Sequence, residues 1–92
     1  MKIPKKVIIK GAEYKVMIVK QIDDDDSEGE CDSNVKTIKI RKSLSKEQRE
    51  LTFVHECFHA VLAEIHMQLP DDLEEACVDA LSQYAFDVLI KK

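Results

Sequence analysis

The sequence predicts an α+β fold, in which a short antiparallel β-sheet of three strands is followed by two antiparallel helices. Short β-branched segments, separated by a glycine turn and an acidic loop, occupy residues 1–42. Apolar residues at helical spacing occupy residues 43–92. The 92 residues suffice for one domain with one core, and no repeat divides them. We therefore expect a single minimal domain over 1–92, with a sheet part at 1–42 and a two-helix part at 43–92.

Two segments near the start of the chain predict a β-hairpin. Residues 3–9 and 14–20 are rich in β-branched and apolar residues, and Gly11 between them is a turn signal. The alternation of apolar and polar residues is imperfect, so we expect both faces of the hairpin to be partly covered.

The acidic segment 23–34 predicts a solvated loop, because runs of like charge normally face water. It lacks the register of oxygen ligands, ending in a bidentate glutamate, that a calcium loop requires. Residues 35–40 predict the third strand. Its pattern is typical of an edge strand, whose exposed side Lys36 and Lys39 would protect from further pairing.

Capping signals divide the rest of the chain into two helices. Ser45 followed by Gln48 predicts a capping box at the start of the first helix, and Pro70 ends that helix. Asp71 followed by Glu74 predicts a second capping box, and the short link makes the helices antiparallel neighbours. Apolar residues at helical spacing predict the core face of each helix: Leu51, Val54, Phe58, Val61, Leu62 and Ile65 in the first, and Leu73, Ala76, Val78, Leu81, Ala85, Val88 and Leu89 in the second.

Composition and charge exclude several classes of function. The net charge is -4 and no helix face gathers basic residues, so the sequence does not suggest nucleic-acid binding. No apolar run could span a membrane or form the core of a signal peptide, so we expect residence in the cytoplasm. Cys31, Cys57 and Cys77 are odd in number and widely spaced, which favours buried free thiols over disulfides or a cysteine metal site.

The segment 52–65 carries an H-E-x-x-H pattern that predicts a metal site. His55 and His59 are four residues apart, so both imidazoles lie on one helix face and can bind one ion. Glu56 projects about 100° away from His55 around the helix, where it can accept a proton from a water at the metal. The alternative is two surface histidines on a helix flank, but the capped helix around the pattern favours a metal site.

A catalytic zinc ion usually has three protein ligands and a water, so a third ligand is expected. His66 lies roughly 10 Å beyond His59 along a continuous helix, and we reject it as a ligand. The second helix offers Glu74, Glu75 and Asp79. Capping would occupy Glu74, so Glu75 is the favoured ligand and Glu74 the fallback. The alternative for Glu75 is a capping or solvated carboxylate. Asp79, one turn after Glu75, could accept a hydrogen bond from a ligating histidine.

These residues carry a resemblance to known metallopeptidases. HECFH at 55–59, followed by EACVD at 75–79, resembles the gluzincin arrangement of thermolysin-like peptidases, in which HExxH precedes a glutamate ligand and, four residues on, an aspartate. The stretches IKIRKSLSKEQRELTFVHECFHAVL and LEEACVDALSQYAF more closely resemble the small phage and mobile-element proteins of the ImmA/IrrE family. Cys57 and Phe58 stand where larger relatives have the leucine and glycine of HELGH.

The resemblance implies a zincin-like domain that binds Zn²⁺ through His55, His59 and Glu75. It implies that Glu56 is the general base of peptide-bond hydrolysis. The substrate would be a peptide or protein, such as a regulatory protein of a phage or its host, in the cytoplasm of a bacterium or a phage-infected cell. Neither the resemblance nor the residues themselves fix the oligomeric state.

Catalysis would also need a group that stabilises the developing oxyanion. The candidates for this role, or for contact with the substrate, are Tyr84, Tyr14 and His66. The edge strand at 35–40 could bind an extended peptide by β-addition. Two alternatives to an enzyme stay open: a binding module that keeps its zinc without turnover, and a helical interaction domain without a metal.

Overall fold

The computed structural model describes residues 1–22 and 27–90 of the chain. In this part of the chain four strands precede two helices, which makes the fold α+β. The strands are β1 (Lys6–Ile9), β2 (Ala12–Val19), β3 (Gly29–Asp32) and β4 (Thr37–Arg41). The helices are α1 (Lys46–Glu64) and α2 (Asp71–Ala85), and a π-helical turn, Phe86–Ile90, follows α2.

β1 and β2 form the predicted hairpin. They pair antiparallel, with Val7 opposite Tyr14. The turn between them contains two residues with positive φ, Lys10 at 50° and Gly11 at 82°. Glycine adopts this conformation at little cost, which explains why a glycine lies at the second of these positions.

The acidic segment contains a strand that the sequence analysis missed. β3 lies within the segment 23–34 that we interpreted as a loop, and it pairs antiparallel with β4. Residues 23–26 of that segment lie outside the described residues. The strand order is β1-β2-β4-β3, and β4 pairs parallel with β2. The prediction of three antiparallel strands is therefore wrong in both strand number and pairing, because β3 and β4 form a second hairpin whose inner strand joins β2.

β4 is a central strand and not the predicted edge strand. It has a neighbour on each side, and Ile38 and Ile40 are fully buried. Lys39 lies 3.9 Å from Glu30 of β3, so it pairs across the sheet and does not guard a free edge. Lys36 lies before the strand, in the turn from β3, with a φ of 54°. The edges of the sheet are β1 and β3.

α1 begins where the sequence predicts. Ser45 Oγ accepts a hydrogen bond from the Gln48 N–H at 3.1 Å, which satisfies one free donor of the first turn. The Gln48 side chain does not complete a capping box, because its Nε2 donates to Glu28 Oε2 at 2.6 Å. The helix ends at Glu64, earlier than predicted, and His66, with a φ of 56°, leads the chain away from it.

α2 begins without the predicted capping box. Pro70, which we expected to end the first helix, is the N-cap of the second, and no side chain caps it. Asp71, Asp72 and Glu74 lie in the first turn, where their negative charge is favourable beside the free N–H groups. The carboxylate of Glu74 contacts α1, as described below.

The core lies between the sheet and α1. Its main cluster consists of buried residues from three strands and the helix: Ile9, Tyr14, Val16, Ile38, Ile40, Phe53, Val54 and Ala60. Of the face predicted for α1, Val54 belongs to this core, whereas Val61 and Ile65 are exposed. The buried face of α1 is therefore rotated relative to the predicted stripe.

α2 buries a narrower face than predicted. Val78 and Ser82 are buried, and Phe86 of the following turn is buried after them. The remaining large apolar residues of the predicted stripe are exposed: Leu73, Leu81, Val88 and Leu89. The reason is packing, since α2 has its main contacts with α1 and with the π-helical turn, and the sheet does not cover it.

Two findings bear on the predictions about compartment. Cys31, Cys57 and Cys77 are free thiols, as predicted, but none is fully buried: Cys31 and Cys57 are half-buried, and Cys77 is exposed on α2. Within residues 1–22 and 27–90, no helix combines the length and the apolar character needed to cross a membrane.

Candidate metal centre

The two histidines of the H-E-x-x-H pattern lie side by side on α1. His55 Nε2 and His59 Nε2 are 3.2 Å apart, because a spacing of four residues places them one turn from each other on one helix face. Their side chains are 22% and 15% exposed. Both imidazoles are therefore held by the fold but remain within reach of an ion from solvent.

Glu75 of α2 brings a carboxylate to the same point. Its Oε1 lies 3.0 Å from His59 Nε2, and its Oε2 lies 3.5 Å from His55 Nε2. Ligand atoms about 2.0–2.1 Å from a tetrahedral zinc ion lie about 3.3 Å from one another. The distances in this cluster lie on both sides of that value. His55, His59 and Glu75 could therefore hold one metal ion.

Each histidine also has a carboxylate at its other ring nitrogen. His55 Nδ1 lies 3.1 Å from Asp79 Oδ1, and His59 Nδ1 lies 2.6 Å from Glu74 Oε2. A proton on Nδ1 can be donated to these carboxylates, which leaves the Nε2 lone pair directed at a metal ion. The contacts of residue 59 with 74 and of 55 with 79 also show that α1 and α2 run in opposite directions, as predicted.

Glu74 has a contact in this cluster that we did not predict from the sequence. We expected it to cap α2 with Asp71, or to replace its neighbour as the third ligand. Its carboxylate instead contacts the side of the His59 ring that faces away from the other histidine. The signal for this contact was present: an antiparallel pairing that sets Asp79 opposite His55 also sets residue 74 opposite His59.

Glu56 lies beside the cluster and is buried, with an exposed fraction of only 7%. Burial raises the pKa of Glu56 to about 7; His59 opposes this shift, while Glu75 and Glu30 reinforce it. A carboxylate with a pKa near neutral can both accept and release a proton under physiological conditions.

β3 passes directly over this carboxylate at Gly29. A Cβ built on Gly29 would lie 2.5 Å from Thr52 Cγ2 and 3.1 Å from Glu56 Oε2. Real Cβ atoms essentially never approach within 3.0 Å of another heavy atom, so only glycine fits here without movement. The strand that the sequence analysis missed is therefore the strand that covers Glu56.

Two clefts meet where β3 covers Glu56. They share Gly29, Glu56 and Glu75 in their walls. The larger cleft, of about 470 Å³, extends past His55. The smaller cleft, of about 330 Å³, extends past His59. A chain lying across both would pass directly beside the histidine pair.

The three residues proposed as oxyanion donors lie outside both clefts. Tyr84 is 59% exposed on α2. Tyr14 is fully buried, and its hydroxyl donates a hydrogen bond to Glu64 Oε2 at 2.6 Å. His66 lies in the turn after α1. The structure therefore does not bring any of these side chains into the clefts beside the histidine pair.

The fold and the cluster define an α+β domain with a His/His/Glu group that could hold a metal ion. No family model matches the chain, and comparisons with curated proteins and with solved structures found no match. The function is therefore argued from the geometry of the site.

Proposed function

We propose that the chain is a zinc-dependent metallopeptidase whose domain is zincin-like and resembles the ImmA/IrrE family. His55, His59 and Glu75 would bind the ion, and Glu56 would act as the general base. The observation that supports the proposal most is the spacing of the three ligand groups, which suits a tetrahedral ion. The buried carboxylate of Glu56 lies beside them.

The donor set favours zinc. Many catalytic zinc sites have two imidazoles and one carboxylate as protein ligands and leave the fourth position to water or substrate. When bound, zinc supplies Lewis acidity, which polarises a carbonyl group and lowers the pKa of a water. Asp79 and Glu74 hold the two imidazole rings in one orientation and one tautomer.

Glu56 accepts the proton of the attacking water and then donates it to the leaving amine. Its position supports this role, because it lies in the walls of both clefts and a peptide that crosses from one cleft to the other passes beside it. The surrounding side chains keep its carboxylate poorly solvated, which increases its basicity.

β3 offers the substrate a strand with which to pair. It is an edge strand of the sheet, and its Gly29 lies in the walls of both clefts. An extended peptide could add to this edge by β-addition. We assign this role to β3 in place of the segment 35–40, because β4 is paired on both sides. The family resemblance suggests a regulatory protein of a phage or its host as the substrate, met in the cytoplasm.

The proposal is tested by incubating the zinc-loaded chain and its Glu56→Gln variant with a peptide library and detecting cleavage by mass spectrometry. Glu56→Gln should still bind zinc but should cleave at least about 100-fold more slowly, since it lacks the base. Glu13→Gln is a matched control, because it makes the same change at an exposed position of β2. Equal cleavage by Glu56→Gln would contradict the role of Glu56, and no cleavage by wild type would contradict the peptidase.

The alternative is a zinc-stabilised binding module without turnover. One observation favours it: none of the oxyanion candidates Tyr84, Tyr14 and His66 lines either cleft. Such a module would gain stability from zinc, because the ion would join α1 to α2. Zinc-dependent stabilisation without cleavage of any library peptide is the result that this alternative predicts.

A further inference from the structure

The larger cleft is strongly acidic. Four carboxylates line it, from Glu28, Glu56, Glu75 and Asp79, and no lysine or arginine is among the described residues in its wall. Since the chain has 14 basic residues, the absence of any from this wall is a local property of the cleft and not of the composition. An acidic cleft of this kind favours a cationic group.

A bound divalent ion would not reverse this charge. Of the residues that line this cleft, Glu75 and Asp79 lie within 3.5 Å of His55, so their two negative charges balance the two positive charges of the ion. Glu28 adds a further carboxylate at the far side of the cleft, where Gln48 Nε2 donates to its Oε2 at 2.6 Å. The cleft therefore stays negative with the metal site filled.

A second observation at the cleft points to a ligand. Ser82 lines the cleft and is only 1% exposed, yet its hydroxyl has no hydrogen-bond partner among the described residues. A buried hydroxyl without a partner costs free energy, so buried polar groups are normally satisfied. A hydrogen-bond donor on a ligand in the cleft would satisfy this oxygen. The wall of the same cleft includes Leu51, which offers apolar surface to an aliphatic chain.

Acidic charge, an unsatisfied acceptor and an apolar wall together match one type of side chain. We propose that the larger cleft is the subsite for a lysine or arginine side chain of the peptide substrate, adjacent to the bond that is cleaved. Its stem lies along Leu51, and its charged end binds between Glu28 and Ser82. A role in substrate binding rests on the proposed peptidase activity, but the binding preference of the cleft can be measured without turnover.

The experiment titrates the ¹⁵N-labelled chain, in excess zinc, with N-acetyl-arginine N-methylamide and with its citrulline counterpart, which has nearly the same shape but no charge. The arginine amide should bind about tenfold more tightly, with chemical-shift changes at Ser82 and Gln83, because a hydrogen bond to a charged group is worth about that factor. Glu28→Gln should abolish the preference, and Ser82→Ala should weaken arginine binding without loss of folding. Glu13→Gln should bind as wild type does.

Equal binding of the two amides, shift changes confined to another surface, or an unchanged preference in Glu28→Gln would overturn the subsite. A cleavage measurement separates this failure from failure of the peptidase. If wild type cleaves library peptides without preference for lysine or arginine next to the cleaved bond, the subsite is wrong and the peptidase stands. If wild type cleaves nothing, the peptidase is wrong, while the titration still decides whether this cleft selects a cation.

Discussion

Substitution of Gly29 by alanine tests the claim that β3 is held against the candidate site. The added Cβ would lie 2.5 Å from Thr52 Cγ2, about 0.9 Å inside the 3.4 Å at which ordinary contact begins. The added Cβ would also lie 3.1 Å from Glu56 Oε2 and 3.2 Å from Glu56 Cγ, both closer than ordinary contact. Gly29 does not have a positive φ, so the backbone itself accepts alanine and the cost is steric. Overpacking of this kind costs about 1–3 kcal/mol of the free energy of unfolding.

The free energy of unfolding is measured by urea titration, with circular dichroism as the signal. Wild type, Gly29→Ala, Thr52→Ser and the double variant form a double-mutant cycle. Thr52→Ser removes the Cγ2 methyl but keeps the hydroxyl, so it should recover about 1 kcal/mol or more of the cost of Gly29→Ala. Gly11→Ala is the control, because no atom lies within 4 Å of its Cβ position and its cost comes from a φ of 82°. A free energy of unfolding for Gly29→Ala within about 0.5 kcal/mol of wild type, or no recovery with Thr52→Ser, would refute the steric argument.

Two further predictions follow from the surroundings of the site. Asp79→Asn and Glu74→Gln should each weaken zinc binding by about 10- to 100-fold in a competition titration with a chromogenic chelator, because each carboxylate orients a histidine ring; wild-type affinity in both would contradict that role. Burial raises the pKa of Cys31 and of Cys57 to about 12, so at pH 8 about one in ten thousand of these thiols is ionised. Iodoacetamide should therefore modify exposed Cys77 first, as read by peptide mass spectrometry, and equally fast modification of Cys31 in the native chain would contradict this packing.

The sequence was sufficient for elements defined by local signals. The first hairpin follows from two β-branched segments around Gly11, and the start of α1 follows from Ser45, whose side chain accepts the expected hydrogen bond. β3 was not predictable in the same way. Three of its four residues, Gly29, Glu30 and Asp32, have low β propensity, and it is a strand because β4 pairs with it. The local signal for this hairpin is limited to its turn, where Asp32 Oδ1 accepts hydrogen bonds from the N–H groups of Asn34 and Val35.

The same distinction separates the parts of the site. His55 and His59 are neighbours by helical spacing alone, so the sequence could place them together. Glu74 was assigned by a local capping rule, but in the structure its contact across the helix pair with His59 takes precedence. The apolar face predicted for α2 assumed a core on that side, whereas Leu73 and Leu81 are exposed because the sheet packs on α1 and not on α2.

Elemental analysis and chelator competition on the purified chain determine whether the His/His/Glu group binds zinc, and with what affinity. We expect one zinc ion per chain in wild type and loss of that ion in His59→Ala and in Glu75→Ala, because each substitution removes one of three ligands. His66→Ala should retain the full zinc content, since His66 lies beyond the end of α1. A wild-type chain that binds no zinc, or zinc retained in full by both ligand variants, would contradict the metal centre.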